Sequence, residues 1–299
     1  LHKEYRRQRQ MCIRDSADTV KTYLGFHVPD DFEPVPDHPS ESREGLYPAT
    51  VRMARRFLHV SNIDVTVYGT EHIPATGGAL LAGNHTGYYD FILAAVGPHL
   101  RGQRLVRYMA KKSVFDVKLL GPILRRMRHV PVDRKRGGSS IDAAVHELQD
   151  GMLVGIFPEA TISRSFELAN FKTGAARIAY AADAPLVPCV IWGSQRLWTK
   201  DLPKRFRNVP VIIRYGAPVE LTGDAEADTA RLKADMQALL DTTRAEYAEA
   251  HGSGEGEAWM PDTLGGTAPT VEEADEIYRL ERAAREEKKA KKARRKGRR

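Results

Sequence analysis

The chain has 299 residues, of which 42% are hydrophobic and 28% are charged, a composition that excludes a wholly disordered protein. Two cysteines are too few for a disulfide scaffold, and no apolar run reaches the length of a membrane-spanning helix, so we expect any membrane contact to be peripheral. Nine of the last twelve residues are Lys or Arg, so removing them from the net charge of +7 leaves −2.

The N-terminal residues are interpreted apart from the fold. Residues 1–16 lack the apolar centre of a secretory signal, and the motif MCIRDS at 11–16 matches the translation of a transposon end used to prepare sequencing libraries. We interpret 1–16 as a read-through artefact, the alternative being a disordered basic leader. Residues 17–46 form an N-terminal extension, rich in Asp and Pro, to which the sequence assigns no role.

Short apolar strands alternate with helical patterns along the middle of the chain. Strands are predicted at 63–69, 78–84, 104–110, 129–133, 152–160, 184–193 and 209–216, and helices at about 89–96, 113–127, 140–151 and 173–182. The helix at 113–127 is expected to break at Gly121 and Pro122. This alternation predicts an α/β fold with a mostly parallel central sheet, flanked by helices and with some irregular pairing.

The C-terminal part is predicted to be helical and charged. A long helical pattern covers 224–250 and completes a domain that begins at 47. Residues 251–269 contain Gly, Pro and acidic residues typical of a linker. A capping box from Thr270 to Glu273 then starts a charged helix, which runs into a polybasic tail and makes 270–299 a helical basic extension.

The first candidate site lies where strand 78–84 ends. His85 follows the strand, Thr86 and Gly87 favour a turn, and Asp90 falls in the first turn of the next helix. Open α/β sheets bind ligands at such strand ends, and Asp90 can orient the His85 ring so that its other nitrogen accepts a proton. The alternative is a structural turn in which Asp90 favours the helix N-terminus electrostatically.

Two other reactive residue types are interpreted as non-catalytic. His59 and Asp64 have the same spacing as the pair above, but they precede the first strand and have no small residues to shape a turn. Cys189 stands alone in an apolar strand, no zinc-type spacing is present, and a reducing setting fits this cysteine usage.

A second polar cluster is predicted at the same edge of the sheet. Strand 152–160 ends in a Phe-Pro pair, and Glu159, Thr161 and Arg164 follow it. Arg134 ends a neighbouring strand and Lys172 precedes a helix, so cations and backbone N–H groups are available for an anion such as phosphate. The alternative interpretation is a polar loop with a helix cap and a solvated basic turn.

The order of these motifs resembles the glycerolipid acyltransferase family, typified by bacterial 1-acylglycerol-3-phosphate acyltransferases. His-x4-Asp after a strand is followed by Val-Asp-Arg, then by Phe-Pro-Glu-x-Thr at 157–161, and then by Val-Pro-x-Val-Ile. The resemblance covers roughly 47–218. It implies that 47–250 is an acyltransferase domain.

The resemblance implies a role for most of the candidate residues. His85 would be the general base and Asp90 its orienting carboxylate, with the lysolipid hydroxyl attacking the acyl thioester directly. Arg134 and Glu159 match residues associated with the glycerol-phosphate acceptor, and Lys111 matches a lysine before the second motif. The oxyanion would still need donors, which we expect from backbone amides in 84–87.

The third motif, which we call the third block (157–164), departs from the family pattern. The family usually has Gly and Arg where this chain has Ala160 and Ile162, and the loss of a guanidinium puts the acceptor in question. We hypothesise that Arg164 supplies the charge from the same side, because alternate residues of an extended segment face one way.

The predicted reaction moves a fatty acyl chain from acyl-CoA or acyl carrier protein to a lysophospholipid. The expected acceptor is 1-acylglycerol-3-phosphate, which would give phosphatidic acid, with the thioester as co-substrate and no metal or other cofactor. Alternatives are transfer to another lipid or glycan acceptor, hydrolysis of acyl-CoA, and a non-catalytic lipid-binding protein.

We expect a cytoplasmic protein, peripheral on the inner face of the cell membrane. Helix 47–60 places Val51, Ala54 and Leu58 near one face, either as an interfacial helix or as an ordinary helix packed on the sheet. The polybasic tail suits an anionic membrane surface, with a merely solvating tail as the second interpretation. No known module or aromatic interleaving indicates specific nucleic-acid binding.

Overall fold

The central feature of the computed structural model, which describes residues 20–133 and 137–296, is a nine-stranded sheet. Its strands are β1 (Val20–Tyr23), β2 (Phe26–Pro29), β3 (Ile63–Tyr68), β4 (Ala79–Gly83), β5 (Val106–Lys111), β6 (Val130–Val132), β7 (Leu153–Ile156), β8 (Leu186–Trp192) and β9 (Val209–Tyr215). The seven strands predicted between 63 and 216 are all present. The hairpin β1–β2 was not predicted and shows that part of 17–46 joins the sheet.

The strands lie in the order β1-β2-β3-β9-β8-β4-β7-β5-β6. Only the β1–β2 and β8–β9 pairs are antiparallel, so the predicted α/β fold with a mostly parallel sheet is confirmed. The strands β4 to β8 all run in one direction, whereas β3 and β9 run in the other. The carboxyl ends of β4 to β8 therefore meet along one edge, called here the carboxyl edge, formed by the residues after Gly83, Lys111, Val132, Ile156 and Trp192.

Helices surround the sheet within the described ranges. They are α1 (Leu46–Val60), α2 (Asp90–Leu93), α3 (Val96–Leu100), α4 (Lys112–Phe115), α5 (Leu120–Arg126), α6 (Gly137–Gln149), α7 (Gly174–Ala181), α8 (Ala225–His251) and α9 (Val271–Lys296). The long helix predicted at 224–250 is confirmed as α8, and its N-cap Asp224 accepts hydrogen bonds from two backbone N–H groups of the first turn. Among the residues described, no helix has the length and apolarity that a bilayer span requires.

The single helix predicted at 89–96 is wrong, because two short helices, α2 and α3, stand in its place. The Tyr215 hydroxyl enters between them, donating to the carbonyl of Ala94 at 3.0 Å and accepting from the N–H of Gly97 at 3.2 Å. A side-chain group inserted in this way replaces the backbone ladder and ends a helix. Tyr215 belongs to β9, far away in sequence, so local pattern could not reveal the break.

The break predicted at Gly121 and Pro122 is also misplaced. Both residues lie in the first turn of α5, and the chain leaves the helical path earlier, between Phe115 and Leu120. Proline is tolerated in a first helical turn, where its missing N–H would have no intrahelical partner. The Gly-Pro pair therefore marks the start of a helix.

Both faces of the sheet are buried, as β8 illustrates. Its alternate residues Val187, Cys189 and Ile191 join the hydrophobic core on one face, while Val190 and Trp192 join the core on the other. This period of two follows from strand geometry. Coverage on both faces explains why the strands read as continuous apolar runs, and it leaves the strand ends as the place for polar side chains.

The segments beyond α8 pack onto the domain. In 251–269, predicted as a linker, Met260 is buried and the Trp259 ring lies under the guanidinium of Arg196, 4.5 Å from its centre. The capping box at the start of α9 is confirmed: the Thr270 N–H donates to the Glu273 carboxylate at 2.9 Å, and the Glu273 N–H donates to the Thr270 hydroxyl at 3.2 Å. The capping box therefore fixes the residue at which α9 begins.

Candidate active site

The turn after β4 brings His85 and Asp90 into contact. Asn84 fixes the start of this turn to β8, since its side-chain amide accepts from the N–H of Ile191 at 2.7 Å and donates to the carbonyl of Ile191 at 3.1 Å. Asp90 is the first residue of α2, and its Oδ2 lies 2.9 Å from Nδ1 of His85. The spacing singled out in the sequence therefore corresponds to a side-chain hydrogen bond at the carboxyl edge.

The Asp90 carboxylate is fully buried and accepts several hydrogen bonds besides that of His85. Its Oδ2 accepts from the backbone N–H groups of Thr86 at 2.7 Å and Gly87 at 2.8 Å, and its Oδ1 accepts from Oγ of Ser194 at 2.5 Å. The Asp90 carboxylate is the acceptor in each of these hydrogen bonds, and it therefore also accepts from His85. Nδ1 of His85 thus carries the proton that it donates. The Nε2 of His85 is then left with the lone pair that can take a proton.

The enclosure of this turn explains why residue 87 is glycine. A Cβ added to Gly87 would lie 3.0 Å from the carbonyl oxygen of Ser194 and 3.2 Å from that of Trp198. On the same side, the Thr199 hydroxyl donates to the Thr86 carbonyl at 2.6 Å. A side chain at position 87 would therefore crowd the backbone of the segment 194–199.

The backbone amides of this turn are all engaged within the protein. The N–H of Asn84 donates to the Cys189 carbonyl at 3.3 Å, and the N–H of His85 donates to Oε1 of Glu159 at 2.8 Å. Those of the next two residues donate to Asp90. The expectation that amides in 84–87 bind the oxyanion is therefore wrong, because three of them donate to the side chains of Glu159 and Asp90 and the fourth to a backbone carbonyl.

The imidazole is held on its face as well as at its edge. It stacks on the Phe157 ring with a centroid distance of 4.4 Å and an interplanar angle of 22°. Phe157 in turn stacks on Tyr108, with centroids 6.1 Å apart. The His85 side chain remains 22% exposed, so a ring fixed on two sides still reaches the surface.

Glu159 supports the backbone of His85 rather than its ring. It follows β7, is 5% exposed, and accepts from the N–H of His85 through Oε1 and from the N–H of Ala169 through Oε2 at 3.1 Å. Burial raises the pKa of Glu159 to about 8, although the two N–H donors act in the opposite direction. No ion pair with Glu159 is present among the described residues, and its predicted neighbour Arg134 lies outside them.

A lysine that the sequence did not single out supplies a cation beside the third block. Lys200 donates through Nζ to the Thr161 hydroxyl at 3.1 Å and to the Ile162 carbonyl at 3.2 Å. The Ile162 side chain is buried and cannot contact an anion. Burial, assisted by the nearby Arg164, lowers the pKa of Lys200 to about 8. The amine thus contacts the backbone of Ile162, the position at which the family pattern has an arginine.

Arg164 is placed differently from the hypothesis that it faces the acceptor. It is 6% exposed, and its guanidinium donates from Nε to Asp201 and from Nη2 to Glu281, both at 2.5 Å. Its guanidinium also lies 5.0 Å from the centre of the Tyr278 ring in α9. Two carboxylates neutralise this charge, so Arg164 joins the third block to the C-terminal helix in this structure.

The remaining predicted residues lie at the carboxyl edge without direct contact to the His85 ring. Lys111 is exposed at the end of β5, and Lys172 is exposed with its backbone N–H donating to the Pro158 carbonyl at 2.9 Å. His59 and Asp64, which have the same spacing in sequence as His85 and Asp90, do not pair. Asp64 lies 2.9 Å from Nε2 of His27 instead. The spacing shared with His85 and Asp90 therefore does not produce a contact between His59 and Asp64.

Sequence reasoning missed Ser194 and Lys200, and both omissions have the same cause. They follow β8, which lies beside β4 in the sheet although more than 100 residues separate the two strands. A polar residue just after an apolar strand was the available signal for Ser194. Lys200 carried no signal beyond its charge, since its contact with Thr161 depends on tertiary structure.

Parts of this chain are similar in sequence to known acyltransferases. Residues 64–192 match the model of the acyltransferase family. A 1-acyl-sn-glycerol-3-phosphate acyltransferase of Bacillus subtilis is 40% identical over 132 residues, which cover 43% of this chain and 63% of that protein. A Mycoplasma pneumoniae protein named "Probable 1-acyl-sn-glycerol-3-phosphate acyltransferase" is 23% identical over 73% of this chain and 85% of its own length.

The fold is shared with a solved structure. The crystal structure of the 1-acyl-sn-glycerophosphate (LPA) acyltransferase PlsC from Thermotoga maritima superposes with a TM-score of 0.51, covering 65% of this chain and 79% of the other at 20% identity. The matched family segment contains β4, the His85–Asp90 pair, the third block and β8. The chain is therefore similar to the acyltransferase family over residues 64–192, and it spans less than two thirds of the length of the Bacillus subtilis relative.

Proposed function

We propose that this protein transfers a fatty acyl chain from a thioester to the hydroxyl of 1-acylglycerol-3-phosphate, giving phosphatidic acid. The observation that carries the proposal is the His85–Asp90 hydrogen bond of 2.9 Å, with Nε2 of His85 free to accept a proton. The relatives named for this reaction support the choice of acceptor, and acyl-CoA and acyl carrier protein are the two donor classes.

His85 acts as the general base in this proposal. Its Nε2 removes the proton of the acceptor hydroxyl, the oxygen attacks the thioester carbonyl, and the carbon–sulfur bond breaks as the new ester forms. The imidazolium then returns the proton to the departing thiolate, which balances the reaction without an acyl-enzyme. Asp90 and the Phe157 ring hold the imidazole in orientation, and the buried carboxylate stabilises the imidazolium that forms.

Lys200 is proposed as a cation for the acceptor phosphate. Its amine contacts the third block through neutral oxygens, so its charge is not matched there by a carboxylate in salt-bridge contact within the described ranges. Arg164, by contrast, is paired with two carboxylates. Lys200 thus replaces the guanidinium lost at Ile162, and Arg134, which matches the second motif, would contribute a further charge.

Thiol release from a long-chain acyl-CoA tests the proposal directly. We expect release that requires 1-acylglycerol-3-phosphate and is abolished in His85→Ala, with phosphatidic acid as product. His59→Ala is the matched control, since this histidine has a carboxylate at the same spacing but no contact with it. Release without acceptor would indicate a hydrolase instead. Absence of release with both acyl-CoA and acyl carrier protein donors, and with several acceptors, would leave a lipid-binding protein.

A further inference from the structure

The segment between β5 and β6 exposes an unusual amount of apolar surface. Val117, Leu119, Leu120 and Ile123 are 50%, 84%, 40% and 41% exposed, and all four lie within seven residues. Singly exposed apolar side chains are normal on soluble proteins, but a contiguous group marks an interaction site. We call this group, together with the cations around it, the α4–α5 surface.

The fold holds these side chains outward on a well-anchored unit. The Phe115 side chain of α4 is 2% exposed, and Met127, just after α5, is 8% exposed. The two helices meet backbone to backbone, because a Cβ added to Gly121 would lie 2.0 Å from the Phe115 carbonyl oxygen. The apolar residues therefore point to solvent from a fixed corner of the structure.

Positive charge surrounds the apolar group. From 111 to 126 the chain has five basic residues and one acidic residue, Asp116. Lys118, Arg125 and Arg126 are exposed within or beside the apolar group, as are Lys111 and Lys112 at the start of α4. Exposed apolar side chains bordered by cations match the interface of a bilayer with anionic headgroups, which attract the cations.

The α4–α5 surface lies on the same edge of the sheet as His85. It begins where β5 ends, and β5 is separated from β4 by β7 alone. Neighbouring strands are about 4.8 Å apart, so the two strand ends are roughly 10 Å apart across the edge. Aromatic rings connect them: Phe157 stacks on His85, Tyr108 stacks on Phe157, and Phe91, 48% exposed, lies 6.0 Å from Tyr108.

The helix α1, considered above as an interfacial helix, is less suited to this role. Leu58 on its apolar face is buried, Val51 packs beside Tyr47 and Leu105, and Ala54 is half-buried. This face is therefore turned toward the protein. The exposed apolar residues of α1 are Met53 and Val60, which stand apart from each other.

We propose that the α4–α5 surface docks the enzyme on a bilayer that contains anionic phospholipid. Val117, Leu119, Leu120 and Ile123 enter the interface, the cations contact headgroups, and the acceptor reaches His85 laterally from the lipid layer. The proposal rests on the proposed function in that the acceptor is a lipid. An acidic carrier protein is the other partner that cations would attract, but it does not account for four exposed large apolar side chains.

Vesicle cosedimentation tests the proposal with the full chain. Vesicles of phosphatidylcholine with phosphatidylglycerol should bind wild type. The double variant Leu119→Glu with Ile123→Glu should bind at least about a hundredfold more weakly, since two leucine-sized groups no longer enter the interface. The matched control is Met53→Glu with Val60→Glu on α1, which adds the same charge and should bind like wild type. His85→Ala should also bind like wild type, which separates docking from catalysis.

Activity on two acceptors excludes simple misfolding. With a short-chain, monomeric lysophosphatidic acid the α4–α5 variant should match wild type, and with acceptor embedded in vesicles it should be roughly tenfold slower. Equal vesicle binding by variant and wild type, or a loss confined to the α1 control, would overturn the proposal. Loss of acyl carrier protein binding with vesicle binding intact would overturn it in favour of the carrier protein. Inactive wild type that still binds vesicles would contradict the proposed function alone.

Discussion

The turn after β4 and the third block are two polar regions at the same edge, built in opposite ways. In the turn, His85, Asp90 and the amides between them complete one another within six residues, with Ser194 added from the next strand. In the third block, the Ile162 carbonyl accepts from Tyr278, and Arg164 pairs with Glu281, across more than 110 positions. The turn is held by its own residues and by neighbouring strands of the sheet, whereas the third block also depends on the C-terminal helix α9.

The residues proposed for proton transfer and those proposed to bind the acceptor phosphate therefore lie in separate regions. Asp90 is buried, His85 is 22% exposed, and the hydrogen bonds that hold the pair come from residues outside α9. The surroundings of Lys200 and Thr161 are shaped by Tyr278, whose ring lies 4.6 Å from the Lys200 amine. Changes in the turn should therefore act mainly on kcat, and changes beside the third block should act mainly on KM for the acceptor.

The largest effect is expected from Asp90→Asn. The amide cannot match the carboxylate as an acceptor for both backbone N–H groups and Nδ1 of His85, so the ring loses its orientation and its charge partner. We expect kcat to fall by about 10²–10⁴-fold. Steady-state thiol release at saturating acceptor measures it. Asp64→Asn is the control because this carboxylate contacts His27, and an unchanged kcat in Asp90→Asn would contradict the assigned role.

Glu159→Gln should give a smaller loss, because it replaces one of two acceptors that hold the backbone. A buried N–H left without a partner costs about 1–3 kcal/mol, so kcat should fall by about tenfold or somewhat more. Glu249→Gln, an exposed position on α8, provides the control for exchanging a carboxyl group for an amide. Unchanged kcat together with unchanged stability would contradict the supporting role.

The pH dependence of stability gives a second test of Glu159. Its pKa rises from 4.5 to about 8 in the folded state, so the native protein retains a proton that the unfolded chain releases in this range. The free energy of unfolding therefore contains a contribution that falls as pH rises from 4.5 to about 8. Urea unfolding at several pH values should show a shallower fall in Glu159→Gln than in wild type, and identical slopes would contradict the raised pKa.

Lys200→Met tests whether the residues beside the third block bind the acceptor phosphate. We expect KM for the phosphorylated acceptor to rise about tenfold while kcat changes little, since a charged hydrogen bond contributes about 1.5–3 kcal/mol. Monoacylglycerol, which has no phosphate, should be used equally well or poorly by variant and wild type. Lys204→Met is the matched control, because Lys204 lies over the Trp198 ring at 4.0 Å instead of at the third block. Equal KM values would remove Lys200 from the site.

The pH dependence of kcat/KM for the acceptor should reveal the titration of Lys200. Burial lowers the pKa of Lys200 to about 8, so its positive charge is present below this pH and is lost above it. In wild type, kcat/KM for the phosphorylated acceptor should decline above pH 8. Lys200→Arg retains its charge and should show less of this decline, which separates Lys200 from Glu159, a group that titrates in the same range. Parallel profiles would contradict the assignment.

The smallest effect is expected from Ala160→Gly in the third block. Ala160 has a φ of 57°, in the left-handed region that costs a residue with a Cβ about 1–2 kcal/mol. Glycine removes this strain but gains freedom in the unfolded chain, so the free energy of unfolding should rise by less than about 1 kcal/mol. Ala217→Gly, in a loop without positive φ, should lower stability instead. Denaturant unfolding of both variants measures the contrast.

The features that the sequence predicted correctly are those that depend on residues close together in the chain. The strands, α8 and the approach of His85 to Asp90 depend on short-range patterns, and all are present. The break after α2 depends on Tyr215, which arrives from β9, and the pairing of Arg164 depends on α9. The prediction that the amides of 84–87 are free was wrong for a related reason. The backbone N–H of His85 donates to Glu159, and only the folded sheet brings β7 beside β4.

The attachment of α9 to the third block also sets an order of assembly. Translation supplies the chain from its N-terminus, and domains form as their parts emerge. Once Ser194 has left the ribosome, every residue of the His85–Asp90 turn is available. Tyr278 and Glu281 come more than 80 residues later. A nascent chain can therefore bring His85 and Asp90 together before α9 fixes the third block in place.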